Sequence, residues 1–144
     1  MSLEQNKKTV ERLYREAVDA GQFEVLDEIC VPDVKIHDPL SGDTSGVEAF
    51  KGLLVFFSQG FPEQTTELHQ WIAEGDYVSI LHTHRAVNTG SFNGMPATGR
   101  QVIVPGNELF RIDPETGKIA EFWRFDADLA LMMQLGASPT PALV

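Results

Sequence analysis

Val102-Ile103-Val104-Pro105-Gly106-Asn107-Glu108-Leu109-Phe110-Arg111-Ile112 and Ile119-Ala120-Glu121-Phe122-Trp123-Arg124-Phe125 flank the run Asp113-Pro114-Glu115-Thr116-Gly117. Residues rich in β-branched and aromatic side chains on both sides of an Asp, Pro and Gly turn predict a hairpin. Upstream the pattern repeats: residues 68–73, the turn Glu74-Gly75-Asp76 and residues 77–86 predict another hairpin. Ahead of these strands the period changes. Val10, Leu13, Tyr14, Ala17 and Val18 fall on one helical face, with Ser2 as its cap and Gly21 as its stop. Phe23, Leu26 and Ile29 mark a second short helix that ends before Pro32. Val34-Lys35-Ile36-His37 reads as a short strand entering a surface loop of Asp38, Pro39, Gly42, Asp43 and Gly46. Ala49, Phe50, Leu53, Leu54, Phe56 and Phe57 make a buried helix stopping near Gly60 and Pro62, and Leu129, Leu131, Met132 and Leu135 a short closing one. Helices first and antiparallel strands afterwards predict an α+β fold, with helices covering one face of a curved antiparallel sheet and leaving a pocket.

The chain has 144 residues, 42% of them hydrophobic and 22% charged, which suits one self-sufficient domain, here 1–136, with a two-proline tail at 137–144. Its net charge of −10 repels phosphate backbones and anionic lipid, so no nucleic acid and no membrane are expected as partners. The single cysteine, Cys30, cannot close an intrachain disulfide. Neither a secretory leader nor a membrane span is legible, and a cytoplasmic location is the expectation.

Four segments in chain order carry a resemblance: Ile36-His37-Asp38-Pro39; Phe61-Pro62-Glu63; Gly90-Ser91-Phe92-Asn93-Gly94 with Ala97-Thr98-Gly99-Arg100; and Phe110-Arg111-Ile112 through Gly117-Lys118-Ile119 to Glu121-Phe122-Trp123, then Gln134-Leu135-Gly136. They resemble the SnoaL-like polyketide cyclase (ester cyclase) family of the nuclear transport factor 2 superfold, over nearly the whole chain. The resemblance implies a cone-like α+β barrel with a deep apolar pocket, closed by the N-terminal helices, and a homo-oligomer, dimer or tetramer. It also implies cofactor-independent intramolecular aldol closure of a polyketide ester. In that family an acidic residue shortly after the last strand's Trp is the general acid/base. The matching position falls at Ala127, bracketed by Asp126 and Asp128.

An aldol closure needs a base beside a carbonyl and an acid for the new alkoxide, tasks one carboxyl in a dry pocket can perform in turn. Asp126 shares a strand face with Phe122 and Arg124; either Asp126 or Asp128 could instead cap the closing helix. His82 and His84 share one strand face with Val78 and Ile80 and could orient substrate or move a proton, or else meet solvent or another subunit. With His37 or Asp38 they could form a two-His, one-carboxylate metal set, but the resemblance points to metal-free chemistry, and no metal or cofactor is expected. His37 and Asp38 lie at a pocket mouth or start a turn. Of Asn107 and Glu108, alternation turns one inward as a substrate-orienting group. Trp71 and Trp123 are candidate pocket walls for an apolar small-molecule substrate, whereas Phe56 and Phe57 read as plain core. Residues 90–100 lack the strand-to-helix setting of a phosphate loop and read as a hairpin lid or sheet corner. Three functions remain: a cyclase or related isomerase, an epoxide or ester hydrolase on the same fold, and a non-catalytic small-molecule-binding module.

Overall fold

A computed structural model describes residues 2–137; of the expected tail, all but Ala137 lies outside the described residues. Helix α1 (Leu3–Arg12) opens on a capping box, in which Ser2 Oγ accepts from the Gln5 amide at 3.1 Å and Gln5 Oε1 from the Ser2 amide at 3.2 Å. At Leu13 it widens into a π-helical stretch, Leu13–Asp19. Bonding five residues apart turns Tyr14 and Asp19 to the same side, toward the sheet. A 3₁₀ turn (Phe23–Val25) and helix α2 (Leu26–Ile29) follow.

Strands β1 (Cys30–Asp38) and β2 (Gly42–Ser45), helix α3 (Val47–Gly60), strands β3 (Gln64–Glu74), β4 (Tyr77–Val87), β5 (Gln101–Ile112) and β6 (Ile119–Asp126), and helix α4 (Asp128–Gln134) complete the chain. The fold is α+β, as expected, but the sheet is mixed and open. Its order is β2-β1-β6-β5-β4-β3, with β1 parallel to β6 and every other pair antiparallel. The segment expected as a loop after Asp38 instead forms β2. The β1–β6 register slips between Cys30 and Lys35, where Pro32 has no N–H for a ladder bond. No helix among the described residues is long and apolar enough to cross a membrane.

Two apolar clusters fill the concave side. In the larger, Phe122 stacks between Phe50 and Phe110, each 5.0 Å between centroids, and Tyr14 meets Phe110 edge-on at 6.1 Å. The smaller joins Phe61, Phe92, Val102, Val104, Leu131 and Leu135. The connection between β4 and β5 is a packed corner. A Cβ on Gly90 would lie 1.9 Å from the Gln59 carbonyl oxygen, so only glycine lets this corner seat against the end of α3. Asn88, buried, donates to the carbonyls of Gly60 (3.1 Å) and Gly90 (2.9 Å) and accepts from the Thr98 amide (2.7 Å) and hydroxyl (2.9 Å). Asn88→Ala orphans these groups, at about 1–3 kcal/mol for each one left buried. Thermal denaturation should show a Tm lowered by several degrees; a Tm equal to the parent's would contradict this role.

Candidate functional site

The polar site is assembled over one glycine. His82, Gly106 and Asp126 form a single row across β4, β5 and β6. The outer two strands stand about 10 Å apart, and their side chains meet because the residue between them has none. A Cβ on Gly106 would fall 1.9 Å from Asp126 Oδ1 and 2.9 Å from His82 Cε1. In the next row Glu108 lies between Ile80 and Arg124. Glu108 Oε1 accepts from the Tyr14 hydroxyl at 2.6 Å and lies 2.9 Å from His82 Nε2, which is also 3.2 Å from Asp126 Oδ1. Neither carboxylate lies along the His82 N–H direction, so these are ion contacts rather than aligned hydrogen bonds. Arg124 brings Nε to 3.3 Å from Asp126 Oδ2, donates to Asp38 Oδ1 at 3.0 Å, and grips both oxygens of Asp128. His84 sets Nε2 3.9 Å from Asp126 Oδ2 and Nδ1 2.9 Å from Thr66 Oγ1.

Burial alone would depress His82; contact with Asp126 and Glu108 outweighs it and lifts its pKa to about 10, so His82 is a cation. Burial lowers His84 to about 4; Asp126 opposes the shift, while the charges of His82 and Arg124 reinforce it, leaving a neutral ring. Burial and the neighbouring Glu108 hold the Tyr14 phenol well above its usual value. Burial disfavours the Arg124 charge, but Asp128, Asp126 and Asp38 more than restore it.

These groups form the polar end of a largely apolar cavity between the helices and the sheet. Tyr14, His84, Glu108, Arg124 and Asp126 line that end, and Leu13, Val18, Phe57, Val104 and Leu131 are among the apolar walls. The Asp126 side chain is 7% exposed. Asp126 thus lines a largely apolar space with Arg124 and His82 in contact with its carboxylate. Such a group can take a proton from a carbon acid and return it to an alkoxide. Phe57, expected as plain core, is a wall of this cavity and carries Arg124 over its ring at 4.6 Å.

His82, His84, Glu108 and Asp126 offer donor atoms within 4.8 Å of one another, so these four could hold a cation. It would have to displace the His82 proton and compete with Arg124 for Asp126. The alternative metal sets with His37 or Asp38 are not assembled, because Asp38 belongs to Arg124 and His37 lies elsewhere.

Several expected site residues stand outside the cavity lining. His37 contacts Glu121 (2.6 Å) and Asp43 (3.0 Å), and Trp123 stacks on it at 5.0 Å; Glu121 and Trp123 alternate with the inward Phe122 and Arg124 and so take the outer face. Asn107 is outward for the same reason and is bonded to Ser79 at 2.8 Å. Trp71 packs at the margin of the larger core cluster. Asp128 holds Arg124 instead of facing the cavity. Neither Asp126 nor Asp128 caps α4, whose N-cap is Ala127 without a side-chain bond. From the sequence Tyr14 reads only as part of an apolar helical face, Thr66 and Asp19 carry no site signal, and an isolated glycine within an apolar strand is the one signal for Gly106.

The sign of the His84 shift makes a prediction. An unfolded imidazole titrates near 6.5 and the folded one near 4, so the unfolded state gains protons first and stability falls as pH drops through that window. The slope from this group is at most about 1.4 kcal/mol per pH unit. His82 acts oppositely: its stabilisation is complete below about pH 6.5 and is lost as pH rises toward 10. Urea melts at about pH 7 and about pH 5 should show His84→Gln losing less stability than the parent; equal losses would contradict the burial of a neutral His84.

The family profile described as SnoaL-like polyketide cyclase matches residues 8–135. A candidate SnoaL-like polyketide cyclase from Jannaschia sp. CCS1 shares 27% identity, covering 96% of this chain and 98% of that one, with a TM-score of 0.86. IdmH, a candidate polyketide cyclase from Streptomyces antibioticus, shares 30% identity over 92% of this chain and 99% of its own, at 0.80. AclR of Streptomyces galilaeus, a candidate hydroxylase, has the same fold at 24% identity and 0.83, over 96% of this chain and 100% of its own. The comparison with curated proteins gives no match.

Proposed function

We infer that this chain, which belongs to the SnoaL-like polyketide cyclase family, catalyses intramolecular aldol closure of an apolar, polyketide-like carbonyl substrate, with Asp126 as the acid/base. The observation that carries the reading is the Asp126 carboxylate at the polar end of an apolar cavity, held between Arg124 and His82. Asp126 takes the proton from the carbon between two carbonyls. The enolate carbon attacks a ketone carbon of the same chain, a C–C bond forms, and the carbonyl electron pair moves onto oxygen. That alkoxide takes the proton back from Asp126. Arg124 and His82 do not touch the reacting carbon; they fix the carboxylate's position. With the Tyr14 proton given to Glu108, these two oxygens can accept from a hydroxyl or enol of the substrate beside it. No step requires an added cofactor.

Incubation with a linear 1,3-dicarbonyl ester in ¹⁸O water tests the reaction type. Ring closure yields a product isomeric with the substrate, with no solvent oxygen beyond ordinary carbonyl exchange. Incorporation of one solvent oxygen through bond cleavage marks a hydrolase, and no turnover with saturable binding marks a binding module. Exposed Ile72, Leu81, Ile103 and Phe125 on the outer sheet face support the proposal of a homo-oligomer; sedimentation giving a monomer would count against it.

A further inference from the structure

Behind His84 runs a chain of hydrogen bonds with a direction. Thr66, 1% exposed, places its hydroxyl 2.7 Å from Asp19 Oδ1 and 2.9 Å from His84 Nδ1. Asp19 also accepts from the Thr66 amide (3.1 Å) and from Arg15 (3.0 Å), so it is an acceptor throughout. The Thr66 hydroxyl has one proton. It goes to Asp19, and the oxygen can then only accept from His84, which must carry its proton on Nδ1. We propose that Asp19 and Thr66 lock His84 in the Nδ1–H tautomer, so that Nε2 presents a bare lone pair to the cavity and recognises a hydroxyl or enol donor on the substrate.

The geometry agrees at each link. His84 lines the cavity, and its Nε2 lies 3.9 Å from Asp126 Oδ2, beside the group that moves the proton. Burial keeps the ring neutral, which preserves the lone pair. The π-helical stretch sends Tyr14 to Glu108 and Asp19 to Thr66. The ligand class that follows is a carbonyl compound bearing a hydroxyl or enolised carbonyl, not a fully alkylated one. His84 acts as a substrate-positioning group, and Thr66 and Asp19 position His84. The substrate part of the inference rests on the cyclase reading; the tautomer does not.

The test is a long-range ¹H–¹⁵N spectrum of the full-length labelled protein near neutral pH, with His84 assigned by its loss in His84→Gln. The expected result is a protonated Nδ1 and an unprotonated Nε2. Thr66→Val should give a mixed tautomer and Thr66→Ser should restore the parent pattern. A protonated Nε2 in the parent, or a Thr66→Val spectrum unchanged from it, overturns the lock. Titration with 4-hydroxyacetophenone should move the Nε2 signal and bind about tenfold tighter than 4-methoxyacetophenone, the difference one hydrogen bond supplies. Equal binding of both overturns the donor recognition. A correct tautomer in a protein without ring-closing activity would instead sink the cyclase reading and leave the lock standing.

Discussion

Asp126→Asn is expected to lower kcat for ring closure by about 10²- to 10⁴-fold, the share supplied by a positioned acid/base group. The amide has the carboxylate's shape but no basic lone pair of comparable strength. Arg124 keeps Asp38 and Asp128, and His82 keeps Glu108, so neither cation is stranded. The cost in stability should therefore stay below the roughly 3–5 kcal/mol of a buried pair broken outright. KM should change little, because the apolar walls that bind most of the substrate are untouched. Steady-state kinetics with a melting curve check this: a folded variant retaining half of the parent's kcat would remove Asp126 from the mechanism.

Gly106→Ala should damage fold and chemistry together. The added methyl would lie 1.9 Å from Asp126 Oδ1, so either β5 or the carboxylate has to move. Asp126 is held from its other side by Arg124 at 3.3 Å and cannot simply rotate aside. Overpacking of this kind costs about 1–3 kcal/mol, or roughly 2–4 °C of Tm for each kcal/mol in a chain of this size. A shift of about 1 Å in a reacting group costs about 100-fold in rate. Thermal denaturation and kcat measured on the same preparation test both halves. A Tm and rate matching the parent's would show that the site does not depend on close approach over Gly106.

The helical stripe from Val10 to Val18 and both hairpins were legible because their signals are local: 3.6-residue spacing, alternation and turn residues. The parallel pairing of β1 with β6 was not. It joins segments more than 80 residues apart, and nothing in Val34-Lys35-Ile36-His37 names its neighbour. The π-helical stretch is likewise silent, because its apolar positions also fit an α-helical face. With Asp126 inward, Trp123, three residues earlier in a regular strand, has to face outward, and only one of Asn107 and Glu108 can point into the cavity. Trp71 escaped alternation because β3 shifts register between Leu68 and Gln70. The contacts of Asp19 with Thr66 and of Tyr14 with Glu108 span 47 and 94 residues and arise only once the helices close on the sheet.

Proton transfer by Asp126 can be observed apart from bond formation. A 1,3-dicarbonyl ester lacking the ketone that would be attacked, incubated in D₂O, reports only the exchange of its activated C–H by NMR. The parent protein should speed that exchange well above the buffer rate, and Asp126→Asn should return it close to that rate. Exchange by folded Asp126→Asn at the parent's rate would contradict the account.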